Sequence, residues 1–219
     1  MPSSRASTIP YVIYAIKQLR PGSILDVGVG FGKWGYLFRE YTDIIQSESD
    51  PPRYFKAGWR TRIEGIEGHV SYIHDGHHFI YDKIHTGDAR DILPTLGTFD
   101  VIFIGDMIEH LPMEDGERLL RASLKQSNKC VIVTTPKYDT QQTSCCNNPL
   151  ECHRSVWRPA SFRSIGPCLI TLSDEATYVV AYPGPNVSHL KLRIEEPRAR
   201  SPWRVFTHLL SSIRRPTCG

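Results

Sequence analysis

The sequence has no uninterrupted apolar run of about 18 residues, which is the length that a membrane-spanning helix needs. It also lacks a strong excess of charge of either sign. The formal net charge is +3 at pH 7, which does not by itself indicate binding to nucleic acid. The N-terminal stretch has no good cleavage site for a secretory signal. A composition of 40% hydrophobic and 22% charged residues is typical of globular proteins. The cysteines, considered next, lead us to expect a reducing cytoplasm.

Well-spaced pairs of metal-ligating cysteines are missing as well. Cys145 and Cys146 are adjacent, and none of the six cysteines belongs to a pair with the C-x₂₋₄-C spacing of structural zinc sites. The nine histidines include no H-E-x-x-H motif. We therefore expect no metal site. Cys130 and Cys168 lie in strand-like runs and are predicted to be buried thiols, which suits a reducing compartment.

A glycine-rich stretch organises the chain. Ile24 to Val27 form a short apolar run typical of a buried parallel strand. Glycines follow at positions 28, 30, 32 and 35, and apolar residues then recur at helical spacing from Trp34. The pattern predicts a strand, a tight turn and a helix whose first N–H groups are available to a polar ligand.

Three nucleotide-binding motifs were compared with this stretch. A P-loop is excluded, because Trp34 follows Gly32-Lys33 and Val27 stands where the first glycine should be. The dinucleotide pattern G-x-G-x-x-G does fit Gly30, Gly32 and Gly35, but that match alone has low specificity. An ordinary tight turn in an α/β domain would also explain the glycines.

The third motif includes the acidic residue before the glycines. The run DVGVGFG, residues 26–32, resembles the D-x-G-x-G-x-G loop of class I S-adenosylmethionine (SAM)-dependent methyltransferases. The resemblance implies that SAM is the cofactor. It also implies a set of cofactor-binding residues in this loop: Asp26, Gly28, Val29, Gly30 and Gly32.

Strand and helix patterns alternate along the rest of the chain. Strands are predicted at 24–27, 61–67, 82–86, 99–105, 129–134, 168–172 and 177–181, and helices at 9–19, 69–79, 89–96, 113–126 and 158–165. Alternation predicts a doubly wound, mostly parallel sheet, and the last two strands are close enough to form an antiparallel hairpin. The seven-stranded, Rossmann-like methyltransferase fold has such a hairpin. We expect an N-terminal helix in 1–22, a methyltransferase domain in 23–183 and a basic extension in 184–219.

Acidic residues at predicted strand ends are further candidates for the cofactor site. Ligands of doubly wound sheets lie beyond the carboxyl ends of the strands. Glu67 ends the second strand and is the candidate for the ribose hydroxyls, with Glu64, in mid-strand, as its competitor. Asp88 and Ala89 follow the third strand, where the resemblance implies contact with adenine. Asp88 would equally suit the N-cap of the next helix.

The run after the fourth strand, DMIEHL, residues 106–111, resembles the D-x-x-E-H-L element of many small-molecule methyltransferases. The resemblance implies that Asp106 and Met107 line the cofactor and that His110 faces the acceptor. The tetrapeptide D/N-P-P-Y/F/W of methyltransferases that act on DNA bases is absent. A small-molecule acceptor is therefore expected, with methyl transfer to oxygen or nitrogen.

The polar stretch 137–158 is long for a connection between framework elements. Its NPLECHRSVW run resembles a substrate-side loop with the pattern N-P-x-x-x-H-x-S-x-W, so His153 and Trp157 are pocket candidates. Histidine titrates near neutral pH and is the natural general base. His110 and His153 are therefore the candidate catalytic residues, with His110 favoured because it adjoins the cofactor-binding strand end.

Other interpretations of the chain remain open at this point. A helix predicted from Ser201 has a basic side, and it either docks on the domain or contacts a membrane surface. The protein as a whole is either a methyltransferase, a non-catalytic binding or scaffold protein with the same fold, or an NAD-dependent oxidoreductase. Asp26 and the terminal hairpin disfavour the oxidoreductase.

Overall fold

A computed structural model of the protein describes residues 4–139, 142–144, 148–187 and 192–194. Seven strands form one sheet: β1 (Ser23–Val27), β2 (Arg62–Glu67), β3 (Lys83–Thr86), β4 (Phe99–Gly105), β5 (Ser127–Pro136), β6 (Leu169–Leu172) and β7 (Thr177–Pro183). Their order across the sheet is β3-β2-β1-β4-β5-β7-β6. β7 is antiparallel to both of its neighbours, and the other pairs are parallel. The predicted seven-stranded sheet with a terminal antiparallel hairpin is confirmed.

Six α-helices cover the two faces of the sheet: α1 (Ile9–Leu19), α2 (Lys33–Thr42), α3 (Asp75–Ile80), α4 (Ala89–Ile92), α5 (Met113–Gln126) and α6 (Pro159–Ile165). The first three pack on one face and the last three on the other. Successive β1 residues alternate between the two cores, with Ile24 in the first and Leu25 in the second. Both are fully buried, which explains why β1 is a continuous apolar run.

Local details differ from the sequence-based expectations in three places. The helix predicted over 89–96 ends at Ile92 and continues as a 3₁₀ turn, because Pro94 has no N–H for an α-helical hydrogen bond. The helix predicted over 69–79 is a 3₁₀ turn at Val70–Tyr72 followed by α3, which the His74 side chain caps. Cys168 was predicted to be buried in a strand, but it precedes β6 and is partly exposed.

The segment between α2 and β2 forms three short 3₁₀ turns, at Ile44–Glu48, Pro51–Tyr54 and Lys56–Gly58. A buried carboxylate holds this loop to the domain. Asp43 is fully buried and pairs with Arg39 at 2.7 Å and with Arg53 at 2.6 Å. The arginines and the Arg60 backbone N–H hold the pKa of Asp43 below its ordinary value, although burial opposes them.

The predicted N-terminal helix is confirmed as α1. Leu192 and Ile194 are buried against the first core. The basic helix predicted from Ser201 lies outside the described residues. Among the residues that the structure describes, no helix combines the length and the apolar character needed to cross a bilayer.

Candidate active site

A cavity of about 310 Å³ opens at the carboxyl ends of the central parallel strands. Its walls include residues 28–30 after β1, residues 66–68 at the end of β2 and residues 105–107 at the end of β4. Doubly wound sheets bind ligands at this edge, and pockets for small molecules have volumes of about 300–1,000 Å³. A cavity of ligand size is therefore present at the edge of the sheet where the sequence predicts the site.

The glycine loop forms one wall of this cavity. Gly28 and Gly30 have φ angles of +84° and +54°, in the left-handed region that favours glycine. A Cβ added to Gly28 would lie only 2.9 Å from Cγ of Met107. The N–H groups of Gly28 and Val29 both donate to the Ile66 carbonyl, at 2.9 and 3.2 Å. These bonds fix the loop against β2 and leave its backbone accessible from the cavity.

Glu67 lies at the junction of the glycine loop and β2. Its carboxylate accepts hydrogen bonds from Gly30 N–H at 2.8 Å and from His69 N–H at 2.7 Å. Burial raises its pKa, and the two backbone donors oppose that shift. Glu67 lines the cavity, whereas Glu64 does not and instead contacts Arg62 and His85. The structure thus places Glu67 at the site and Glu64 on the opposite face of β2.

Asp26 and Gly32 lie behind the glycine loop, not on the cavity wall. Asp26 is 1% exposed, and its carboxylate accepts a 2.6 Å hydrogen bond from the Tyr81 hydroxyl. Burial raises the pKa of Asp26 to about 7, against that hydrogen bond, which lowers it. Gly32 backs onto the buried His77 ring, which also contacts the Gly30 carbonyl at 3.1 Å. Asp26 and Gly32 therefore stabilise the glycine loop on the side that faces away from the cavity.

Asp88 and Ala89 line the cavity after β3, as the resemblance implied. Asp88 also caps α4, because its side chain accepts a 2.8 Å hydrogen bond from Arg90 N–H. The Arg90 guanidinium pairs with the same carboxylate and lowers its pKa. The N-cap interpretation of Asp88 is therefore confirmed, and its contact with adenine stays a prediction.

Asp106 and Met107 form the wall at the end of β4. Asp106 has a φ of +46°, an uncommon value outside glycine, which is fixed by its N–H bond to the Thr134 carbonyl at 2.9 Å. Its Oδ1 is buried and has no hydrogen-bond partner among the described residues. Burial raises the pKa of Asp106, and the Lys33 ammonium opposes the shift. A buried carboxylate oxygen without a partner suits a cationic or N–H-bearing ligand.

His110 lines the cavity next to Leu111, whereas His153, also a predicted pocket residue, is not part of the cavity wall. The two ring centroids are 4.9 Å apart, with the rings nearly perpendicular. Nδ1 of His110 donates to the Cys152 carbonyl at 3.3 Å. Burial lowers the pKa of His110, which favours the neutral imidazole at pH 7. The structure thus brings the two candidate catalytic histidines together, although they are far apart in sequence.

Glu109 lies next to this histidine pair, and it was not among the site residues predicted from the sequence. It is 3% exposed, and its Oε2 accepts a 3.0 Å hydrogen bond from the Thr135 hydroxyl. One ligating atom from each of Glu109, His110 and His153 lies within 4.8 Å of the other two. The E-H pair in the motif at 106–111 was a signal for Glu109, but its orientation could not be read from sequence.

The prediction that Trp157 lines a pocket is wrong. Its side chain is fully buried in the second core, where it stacks on Phe162 with ring centroids 5.1 Å apart. A Cβ added to Gly116 would lie 2.6 Å from the Trp157 ring, so this ring occupies the gap that a helix glycine leaves. Trp157 anchors the end of the 137–158 loop to α5 and α6.

Several segments contribute cavity residues that were not predicted, among them the turn before His153 and the N-terminus. Asn148, Leu150 and Glu151 belong to the turn before His153, and the Tyr72 hydroxyl contacts the Glu151 carboxylate at 3.3 Å. Ser4 reaches the cavity from the N-terminus, where its carbonyl accepts from the Lys33 ammonium. The N-P-x-x-x-H resemblance pointed toward the first segment, but no pattern pointed to Ser4. Cys145 and Cys146 lie outside the described residues.

Comparisons with known proteins bear on the fold. No family model matches the chain, and a search of curated protein sequences finds no match. Solved structures do match. The N-terminal domain of EvdMO1, in the presence of SAH and D-fucose, is 15% identical with a TM-score of 0.57, and the match covers 83% of this chain and 84% of that domain.

Two further solved structures have the same fold. The complex of DhpI with SAM and HEP is 14% identical with a TM-score of 0.54, covering 74% of this chain and 78% of that one. Magnesium protoporphyrin IX methyltransferase from Synechocystis PCC 6803 with bound SAH is 11% identical with a TM-score of 0.51, covering 81% and 82%. At these identities the likeness concerns the fold. The chain therefore has the seven-stranded, Rossmann-like fold of SAM-dependent methyltransferases.

Proposed function

We propose that the protein is a SAM-dependent methyltransferase that transfers a methyl group to oxygen or nitrogen of a small molecule. The observation that carries this proposal is the contact between the glycine loop and Glu67 at the mouth of a ligand-sized cavity. Solved structures with the same fold contain SAM or SAH, which supports the choice of cofactor. The antiparallel β7 disfavours an NAD-dependent oxidoreductase, because many dinucleotide folds lack it.

The residues of the cavity suit the parts of this cofactor. Glu67 uses one lone pair of each oxygen for Gly30 and His69, so lone pairs remain to accept from two ribose hydroxyls. The unpartnered Oδ1 of Asp106 suits the α-ammonium group. Asp88 and Ala89 lie at the adenine end. Asp26 and Gly32 hold the glycine loop in place without reaching the ligand.

Methyl transfer from SAM requires little of the protein beyond alignment of the acceptor with the methyl group. When bound, SAM supplies a methyl group on a sulfonium leaving group that is already activated. The protein must hold the acceptor in line with that methyl group, and alignment alone lowers barriers by several kcal/mol. An alcohol or amine acceptor must also lose a proton. His110 on the cavity wall, with His153 behind it, is placed to manage that proton.

A transfer assay tests the function. The protein is incubated with methyl-labelled SAM and the small-molecule fraction of a cell extract, and mass spectrometry identifies the compound that gains the label. We expect label in a small molecule, and none in the same assay without protein. If SAM binds tightly but extracts of diverse cells yield no labelled product, the alternative of a non-catalytic binding or scaffold protein is favoured.

A further inference from the structure

We infer that Glu109, His110 and His153 form a binding site for a divalent transition-metal cation at the acceptor end of the cavity. Each residue offers one ligating atom, and these atoms lie within 4.8 Å of one another. Two of the residues adjoin in sequence, and the third comes from a loop 43 positions further on. The site itself stands independently of the proposed function, whereas its part in methyl transfer rests on that proposal.

The hydrogen bonds around the cluster orient its ligating atoms. Nδ1 of His110 donates to the Cys152 carbonyl, which fixes the orientation of the ring. Oε2 of Glu109 accepts from the Thr135 hydroxyl, which orients the carboxylate. Metal-binding histidines almost always donate their other ring N–H to a carbonyl or carboxylate, and ligating carboxylates are hydrogen-bonded in turn. Both supporting contacts are therefore in place.

The backbone also fixes the third ligand relative to the first two. The carbonyl of Glu109 accepts hydrogen bonds from the N–H groups of Arg154 at 2.8 Å and Ser155 at 3.1 Å. These bonds fasten the segment that carries His153 to the turn that carries Glu109 and His110. The three side chains are thus held together by the protein itself, as a metal site of defined geometry requires.

The charges near the cluster favour a cation. Glu109 is 3% exposed, and an ionised carboxylate in such a place is destabilising unless a positive charge or metal accompanies it. Asp106 and Glu151 add negative charge close by. Among the described residues that line the cavity, four are acidic (Glu67, Asp88, Asp106 and Glu151) and Lys33 is the single basic residue other than His110. Lys33 contacts the Ser4 carbonyl and also acts on Asp106, so it offsets only part of this negative charge.

The type of ligand narrows the choice of cation. Imidazole nitrogens together with one carboxylate suit Zn²⁺, Co²⁺, Mn²⁺ or Fe²⁺ better than Mg²⁺ or Ca²⁺, which prefer oxygen ligands only. Three protein ligands leave coordination positions for an acceptor oxygen or water. A cation there lowers the pKa of a bound hydroxyl group, which then loses its proton to water before accepting the methyl group. The two imidazoles would in that case be ligands, not bases.

Cobalt binding tests the site directly, because Co²⁺ bound to nitrogen and oxygen ligands has visible absorption bands. The full-length protein is stripped with a chelator, dialysed and titrated with CoCl₂. We expect bands that saturate at one Co²⁺ per chain and disappear on addition of Zn²⁺. His153→Gln and Glu109→Gln should each weaken Co²⁺ binding by about 10-fold or more, the size of effect that outer-shell partners alone have on metal affinity.

His85→Gln is the matched control. His85 also lies 2.7 Å from a glutamate, Glu64, but this pair has no third ligand among the described residues and is on the far side of β2. Its replacement should leave the cobalt bands unchanged. Absence of bands in the wild type, or equal bands in His153→Gln, would overturn the inference. His153 is partly exposed, so His153→Gln is expected to fold, and the melting temperatures of the stripped variants verify this.

Binding of S-adenosylhomocysteine to the same stripped protein separates this inference from the proposed function. If the nucleoside binds and Co²⁺ does not, the metal site is wrong and the methyltransferase proposal is unaffected. If Co²⁺ binds at the three residues and the nucleoside does not, the metal site stands and the proposed function fails.

Discussion

Replacing Glu67 with alanine is expected to weaken binding of S-adenosylhomocysteine by about 1–3 kcal/mol, which corresponds to about 5- to 140-fold in Kd. The carboxylate would accept from both ribose hydroxyls, and hydrogen bonds to a charged acceptor are the stronger kind. It also accepts from Gly30 N–H, so its removal loosens the glycine loop. Isothermal titration calorimetry of the two proteins measures the difference.

Glu64→Ala is the matched control for this experiment. Glu64 lies three residues earlier on the same strand, but its contacts are with Arg62 and His85, away from the cavity. We expect its Kd to equal that of the wild type. A larger loss in Glu64→Ala than in Glu67→Ala would contradict the assignment of the ribose site to this end of β2.

Replacing His110 with alanine is expected to lower turnover by roughly 10²–10⁴-fold, the usual contribution of a group that manages a proton in the transition state. Affinity for the cofactor should stay nearly unchanged, because the proposed function assigns His110, on the cavity wall, to the acceptor and not to the cofactor. The same loss is expected if the imidazole holds a cation instead of accepting the proton. Initial rates with the acceptor found in the transfer assay, together with calorimetry, separate the two effects.

His85→Ala again provides the control, because it removes an imidazole on β3 that is not part of the cavity wall. Its turnover should match the wild type within about 2-fold, the scatter usual for exposed or remote changes. Full activity in both His110→Ala and His153→Ala would remove the two histidines from the catalytic mechanism. Alignment of the acceptor would then be the sole contribution of the protein.

Strand periodicity explains why much of the site could be predicted from the sequence. Side chains alternate between the two faces of a strand, so Glu64 and Glu67 must point to opposite faces. The carboxyl ends of parallel strands meet at one edge, so Glu67, Asp88 and Asp106 had to converge there. The cavity contains all three. Local pattern and sheet geometry suffice when the candidate residue lies at a strand end.

Asp26 differs in its position along the strand, because it pairs with Gly65, two residues before Glu67. It points toward the face of the sheet covered by α1–α3, where the Tyr81 hydroxyl meets it. The motif places an acid at this strand end, but the position of Tyr81, 55 residues away, could not be deduced from the sequence. An acid paired with a buried tyrosine supports the loop without lining the cavity.

The positions of Trp157 and Ser4 could not be predicted from the sequence, because they too depend on contacts between residues far apart in the chain. Whether an aromatic residue in a polar loop faces a ligand or fills the core depends on the space left by distant residues, here at Gly116. Ser4 reaches the cavity because its contacts with Lys33 and Trp34 hold the N-terminal segment over α2. Such long-range contacts produce no periodic pattern of residues in the sequence.

The central claim is that the protein binds SAM. Melting temperatures measured with and without adenosine-containing ligands test it most directly. A ligand that binds the native state alone raises the melting temperature by mass action, and the free energy of unfolding gains about 2.7 kcal/mol at 100 times Kd. We predict that SAM and S-adenosylhomocysteine raise the melting temperature, and that NAD and ATP at equal concentration do so much less. An equal or larger increase with NAD, or no increase with either adenosyl compound, would contradict the account.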